Sequence, residues 1–66
     1  MKHYYFCETF TDEEFLVGAY SYEEASKIAE EVARDMSETW HTGYWGLEYH
    51  GTMSEFEAEC SGLDEY

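Results

Sequence analysis

One helical stripe constrains this chain more than anything else in it. Ala25, Ile28, Ala29, Val32, Ala33 and Met36 recur at i, i+3, i+4, i+7, i+8 and i+11, the 3.6-residue period of a helix with one buried face. Ser21-Tyr22-Glu23-Glu24 ahead of the stripe reads as a capping box, with the Ser21 hydroxyl accepting from the Glu24 amide and Glu24 reaching back. The opposite face holds Glu23, Lys27, Glu30, Glu31, Arg34, Asp35 and Glu38. Glu23–Lys27 and Glu30–Arg34 are favourable i,i+4 pairs on it. In a chain of 66 residues there is room for one domain, and the remaining segments must cover that apolar face.

Those segments alternate like strands. Residues 3–10 and 14–20 carry β-formers around the polar group Thr11-Asp12-Glu13, the pattern of a β-hairpin. With Asp12-Glu13 as the loop, Phe10 faces Phe15, Glu8 faces Val17 and Phe6 faces Ala19. One sheet face is then Tyr4, Phe6, Phe10, Phe15, Val17 and Ala19, interrupted only by Glu8. The other face holds Tyr5, Cys7, Thr9, Leu16 and Tyr20.

Residues 44–50 and 53–60 read as a second hairpin, with Gly51-Thr52 as a type II′ turn whose glycine takes the positive φ. That register pairs Leu47 with Phe56 and Trp45 with Ala58 on one face, and Glu48 with Glu55 on the other, where Tyr44 lies beside Glu59 and Gly46 beside Glu57. The expected fold is α+β: ββαββ, a four-stranded, mainly antiparallel sheet with one helix packed on one face. The domain spans residues 1–60, and residues 61–66 form a loose acidic tail.

Sixteen Asp and Glu stand against three Lys and Arg, a net charge of −13. Aromatics at 20% argue against disorder, because disordered acidic chains lack them. Direct binding to DNA, RNA or an anionic membrane is excluded, since each needs positive charge on the protein. The start of the chain, Met1-Lys2-His3-Tyr4-Tyr5-Phe6, has no aliphatic run or small-residue cleavage site of a signal peptide. No apolar run is long enough to span a bilayer. The expected address is the cytoplasm, where Cys7 and Cys60 are free thiols, Cys7 facing outward and Cys60 inward.

The sequence offers no chemistry to assign. His3, His41 and His50 with the two cysteines have no metal-ligand spacing, so no metal or other cofactor is expected. Carboxylate pairs carry no information where a quarter of the residues are acidic, and no nucleophile–base pattern or glycine-rich phosphate loop is present. The chain is read as non-enzymatic.

The acids are the informative feature. In the expected hairpin Glu55, Glu57 and Glu59 line one strand face at intervals of about 6.5–7 Å, with Glu48 across from Glu55. Like charges set opposite one another destabilise a sheet, and solubility alone needs a net charge of magnitude only about 2–8. A regular carboxylate row on a rigid scaffold imitates the phosphate row that Lys/Arg grooves are built to hold. Salt adaptation produces a similar composition, and charge runs are commonly no more than solvated faces. Tyr5, Tyr20, Tyr44, Tyr49 and Trp40 supply aromatic anchors that charge alone lacks.

The stretch Phe15-Leu16-Val17-Gly18-Ala19-Tyr20-Ser21-Tyr22-Glu23-Glu24-Ala25, followed by Ile28-Ala29-Glu30, resembles a strand-to-helix junction of small phage proteins. One such family is the short RNA polymerase inhibitor of T7-like phages, similar in length and also strand–strand–helix–strand. The resemblance covers about a third of the chain and rests on Ala19, Ser21, Glu24, Ala25 and Ala29, which cap and pack. That family relies on arginines in the strand after its helix, whereas Tyr44-Trp45-Gly46-Leu47-Glu48-Tyr49 contains none. In size and charge the chain also resembles phage anti-CRISPR and anti-restriction proteins that mimic DNA.

Together these readings point to a small acidic inhibitor, of the kind phages encode, acting in the host cytoplasm. Its partner is a basic nucleic-acid-handling host protein: a CRISPR effector, restriction enzyme or RNA polymerase. The expected contact residues are Glu48, Glu55, Glu57 and Glu59, then Glu30, Glu31, Asp35 and Glu38, with Tyr44. The alternative is an acidic structural or adaptor module that homodimerises through Tyr5, Leu16 and Tyr20.

Overall fold

A computed structural model describes residues 1–41 and 43–66. The element order is β1 (Lys2–Glu8), β2 (Glu13–Ala19), α1 (Tyr22–Trp40), β3 (Leu47–Met53) and α2 (Glu55–Ser61). The three strands form one antiparallel sheet in the order β2-β1-β3. The fold is therefore a small α+β domain with three strands and two helices, and the expected four-stranded sheet with a single helix is overturned.

The helix reading matches in place and face. Ser21 is the N-cap and accepts from the Glu24 amide at 3.2 Å. Ala25, Ala29, Val32 and Ala33 are buried, and the first three pack with Tyr4, Phe6, Phe15, Val17 and Ala19 from one face of the sheet. The helix ends where His41 turns left-handed, φ 55°, and its amide folds back onto the Ser37 and Glu38 carbonyls.

In the first hairpin the faces are as expected and the register is not. Phe6 lies opposite Phe15, Tyr4 opposite Val17 and Glu8 opposite Glu13, a slip of four residues from the two-residue loop. An even slip leaves every side chain on its own face, so the core is preserved while Phe10 is expelled to 59% exposure. The cause is Glu8. Its carboxylate turns back to accept from the Phe10 and Thr11 amides, which closes a wider turn through Thr9–Asp12, with Asp12 at φ 59°.

The second hairpin is absent. Leu47–Met53 is one continuous strand on the far side of β1. Tyr5 pairs with Gly51 and Phe6 with Tyr49, leaving His50 as the extra residue of a β-bulge. Gly51 does have a positive φ, 107°, and uses it in this bulge rather than in a turn. A strand is expected over residues 53–60, but Glu55–Ser61 is helical because Ser54 and Glu57 form a reciprocal capping box. That signal, Ser54-Glu55-Phe56-Glu57, repeats the Ser21–Glu24 pattern, where the Ser21 hydroxyl accepts from the Glu24 amide as expected. The alternation Glu-Phe-Glu-Ala-Glu concealed it.

The tail is not loose. Tyr66 donates to the Leu16 carbonyl at 2.8 Å, while Leu16 and Gly18 donate to the Asp64 and Tyr66 carbonyls. This places Glu65 in a parallel bridge beside Leu16 on the outer edge of β2. Tyr66 meets Phe15 edge-on at 5.7 Å, and Glu65 bonds His3. An otherwise bare sheet edge is covered in this way.

Candidate partner-binding surface

Fifteen of the sixteen carboxylates reach solvent; Glu8 is the exception. Helix geometry sorts those on α1 into two stripes. Lys27 and Arg34 line up with Glu23 and Glu30, giving a face of mixed charge. Glu24, Glu31, Asp35 and Glu38 form the neighbouring stripe, all acidic and all exposed, with Glu31 and Glu38 each one turn from a cation, Lys27 and Arg34 respectively. Of the expected contact residues, Glu31, Asp35 and Glu38 therefore share a surface, and Glu30 sits among the cations.

The second-hairpin acids do not form the expected row. Glu55 and Glu59 are one helical turn apart on α2, close to the sheet face opposite α1. With His3, Leu16, Leu63 and Glu65 they line an open cavity of about 260 Å3. Glu57 is occupied in the capping box at the start of α2. Glu48 lies at the other end of the sheet, opposite Cys7, where it meets His50 at 3.3 Å. The proposed cross-strand pairing of Glu48 with Glu55 does not exist, so the carboxylates form three separate groups.

The third group surrounds the β1–β2 turn. Asp12 from the turn, Glu13 at the start of β2 and Glu48 from β3 act on the Cys7 thiol together with the buried Glu8. Burial first, and then these negative charges, push that thiol above its ordinary range. Cys7 keeps the expected sheet face, away from the α1 core, but is buried there, while Cys60, expected to face inward, is exposed on α2.

Glu8 holds this end together. It is 1% exposed and accepts from the amides of Phe10 at 3.1 Å, Thr11 at 2.8 Å and Gly46 at 2.6 Å, and from the Thr11 hydroxyl at 2.9 Å. Burial raises its pKa, but the amides of Gly46, Phe10 and Thr11 and the hydroxyl outweigh burial and hold it below the usual carboxylate range. The Thr9 amide donates to the Gly46 carbonyl at 3.1 Å, so the turn and the α1–β3 link are joined in both directions. Two aromatics are displayed here: Phe10 stacks on Tyr44 with centroids 5.8 Å apart and planes 20° from parallel. Only Tyr44 of this pair was singled out from sequence. The signal for Phe10 was its place two residues beyond a carboxylate that broke an apolar face.

Of the residues expected for self-association, Tyr5 and Leu16 pair across β1 and β2, and Tyr20 lies apart from them. Leu16 is 1% exposed and offers no surface, while Tyr20 is 78% exposed beyond the end of β2. The Tyr5 hydroxyl bonds Glu14, and its ring lies 5.1 Å from His50. No group of three or more metal-ligating side chains is arranged for a metal ion among the described residues. No helix among them is long and apolar enough to cross a membrane. Comparison with family models, curated proteins and solved structures finds no match for the chain.

Proposed function

We propose that this protein is a small, non-catalytic inhibitor that occupies the Lys/Arg groove of a basic nucleic-acid-handling host protein, such as a nuclease or polymerase. The observation that carries this reading is the charge distribution: fifteen exposed carboxylates, against three cations, on a domain with a radius of gyration of 11.4 Å. The α1 stripe is the leading contact surface, because Glu24, Glu31, Asp35 and Glu38 are exposed along one rigid helix. Glu55 and Glu59 on α2 form a second cluster across the sheet. Such a field speeds encounter with a basic groove and is screened by salt.

The test is capture from bacterial lysate with the tagged protein, followed by elution in a salt gradient. The expected result is one nucleic-acid-binding protein, released at moderate salt and displaced by random-sequence duplex DNA. Glu31→Lys with Asp35→Lys should abolish that capture while the circular dichroism spectrum is kept. Recovery of the protein alone, or capture indifferent to both DNA and charge reversal, overturns the proposal.

A further inference from the structure

We infer that the end of the molecule where Phe10 stacks on Tyr44 is a docking site for arginine side chains on a cationic protein partner. Phe10 is 59% and Tyr44 69% exposed, and Trp45, next to Tyr44 in sequence, is 40% exposed. Large rings in water are costly to leave uncovered on a domain with so small a core. They are also held firmly. Glu8 takes the backbone amide of Phe10 itself and that of Gly46, next to Trp45, so a buried carboxylate fixes both segments that carry the rings. Anchors of this kind, aromatic and pre-positioned, are the usual centre of a protein interface.

Charge decides what covers them. Asp12 follows Phe10 in the turn, Glu13 opens β2, and Glu48 stands on β3 opposite Cys7 of β1. The three cations, Lys2, Lys27 and Arg34, lie on other segments. A second copy of the chain would bring like charges together, and a nucleic acid or an anionic lipid surface would be repelled. A cationic protein surface meets both features. Within it, arginine fits better than lysine, because a planar guanidinium stacks on an aromatic face while donating to flanking carboxylates. The site deepens the proposed function by naming what the partner contributes, and rests on that reading only for the partner's basic character.

The probes are octa-arginine and octa-lysine, equal in charge. Titration at about 100 mM salt is followed by calorimetry and by the emission of Trp40 and Trp45, the only two tryptophans. Octa-arginine should bind roughly two- to fivefold more tightly and alter the tryptophan emission. Phe10→Ala with Tyr44→Ala should erase that preference and leave octa-lysine affinity unchanged. Glu55→Gln with Glu59→Gln, away from the rings, should leave the preference intact. Both double variants change exposed side chains, and circular dichroism checks that they fold.

Equal affinity for the two peptides, or a preference that survives loss of the rings, overturns the inference. Failure of both peptides to bind overturns it together with the proposed function. A lysate that yields no nucleic-acid-handling protein, alongside a ring-dependent arginine preference, would remove the inhibitor reading and support this site.

Discussion

The Gly46 amide donates to the Glu8 carboxylate at 2.6 Å across 38 positions of sequence. This bond ties the β1–β2 turn to Gly46, just ahead of β3, alongside the bond from the Thr9 amide to the Gly46 carbonyl. A buried carboxylate is costly unless its lone pairs are filled, and here three amides and one hydroxyl fill them. Glu8 is thus a local organising centre.

Removing it should be among the most damaging single changes in the protein. Glu8→Ala leaves three amides without their acceptor, and hydrogen bonds to a charged group contribute about 1.5–3 kcal/mol each, not additively. The expected loss is about 3 kcal/mol in urea unfolding, a large part of the stability of so small a domain. Glu8→Gln keeps one acceptor oxygen and should lose about half as much. An alanine variant within 0.5 kcal/mol of the parent would show that the turn holds without the carboxylate.

The same group sets a pH dependence. The folded-state pKa of Glu8 is depressed, so below the unfolded value the unfolded chain binds the proton more readily than the native one. The stabilisation is complete above the unfolded pKa of about 4.3 and is lost as pH falls through the lower folded value. Urea midpoints between about pH 6 and pH 3 should fall at the acid end in the parent and fall less in Glu8→Gln. Parallel acid limbs would assign the loss to other groups.

The legible parts of the fold were those set by local rules. The α1 stripe, its Ser21 cap and the inward set Tyr4, Phe6, Phe15, Val17 and Ala19 follow from period and capping alone. The hairpin register depended on Glu8 folding back onto Phe10 and Thr11, which alternation does not encode. Glu55–Ser61 satisfied a strand pattern and a capping box together, and the helix won because Ser54 and Glu57 cap one another. With that helix the expected carboxylate row disappeared, since the row depended on a period of two. The edge cover by Asp64–Tyr66 carries no sequence signal beyond its proximity to a bare strand.

That competition at α2 can be measured. Ser54→Ala removes the acceptor for the Glu57 amide and should cost about 1 kcal/mol. A seven-residue helix has little independent stability, so amide exchange in Glu55–Ser61 should accelerate more than in α1. Glu57→Gln, which can still close the box, should cost less. Equal exchange in the parent and Ser54→Ala would mean that packing of Ala58 and Leu63 near Leu16, rather than the cap, holds α2.

The link across the Glu8 end is also sterically specific. A Cβ built on Gly46 would lie 2.2 Å from Thr9 Oγ1 and 3.6 Å from Thr9 Cβ, so only the hydroxyl is in the way. Gly46→Ala should therefore destabilise by about 1–2 kcal/mol, with Thr9 forced to another rotamer or the link displaced. Thr9→Ala removes the obstructing oxygen and leaves an ordinary contact, so Gly46→Ala in that background should cost markedly less. The double-mutant cycle reads this as a favourable coupling of about 1 kcal/mol between neighbouring sites. Additive effects would place the need for glycine in the backbone rather than in the approach to Thr9.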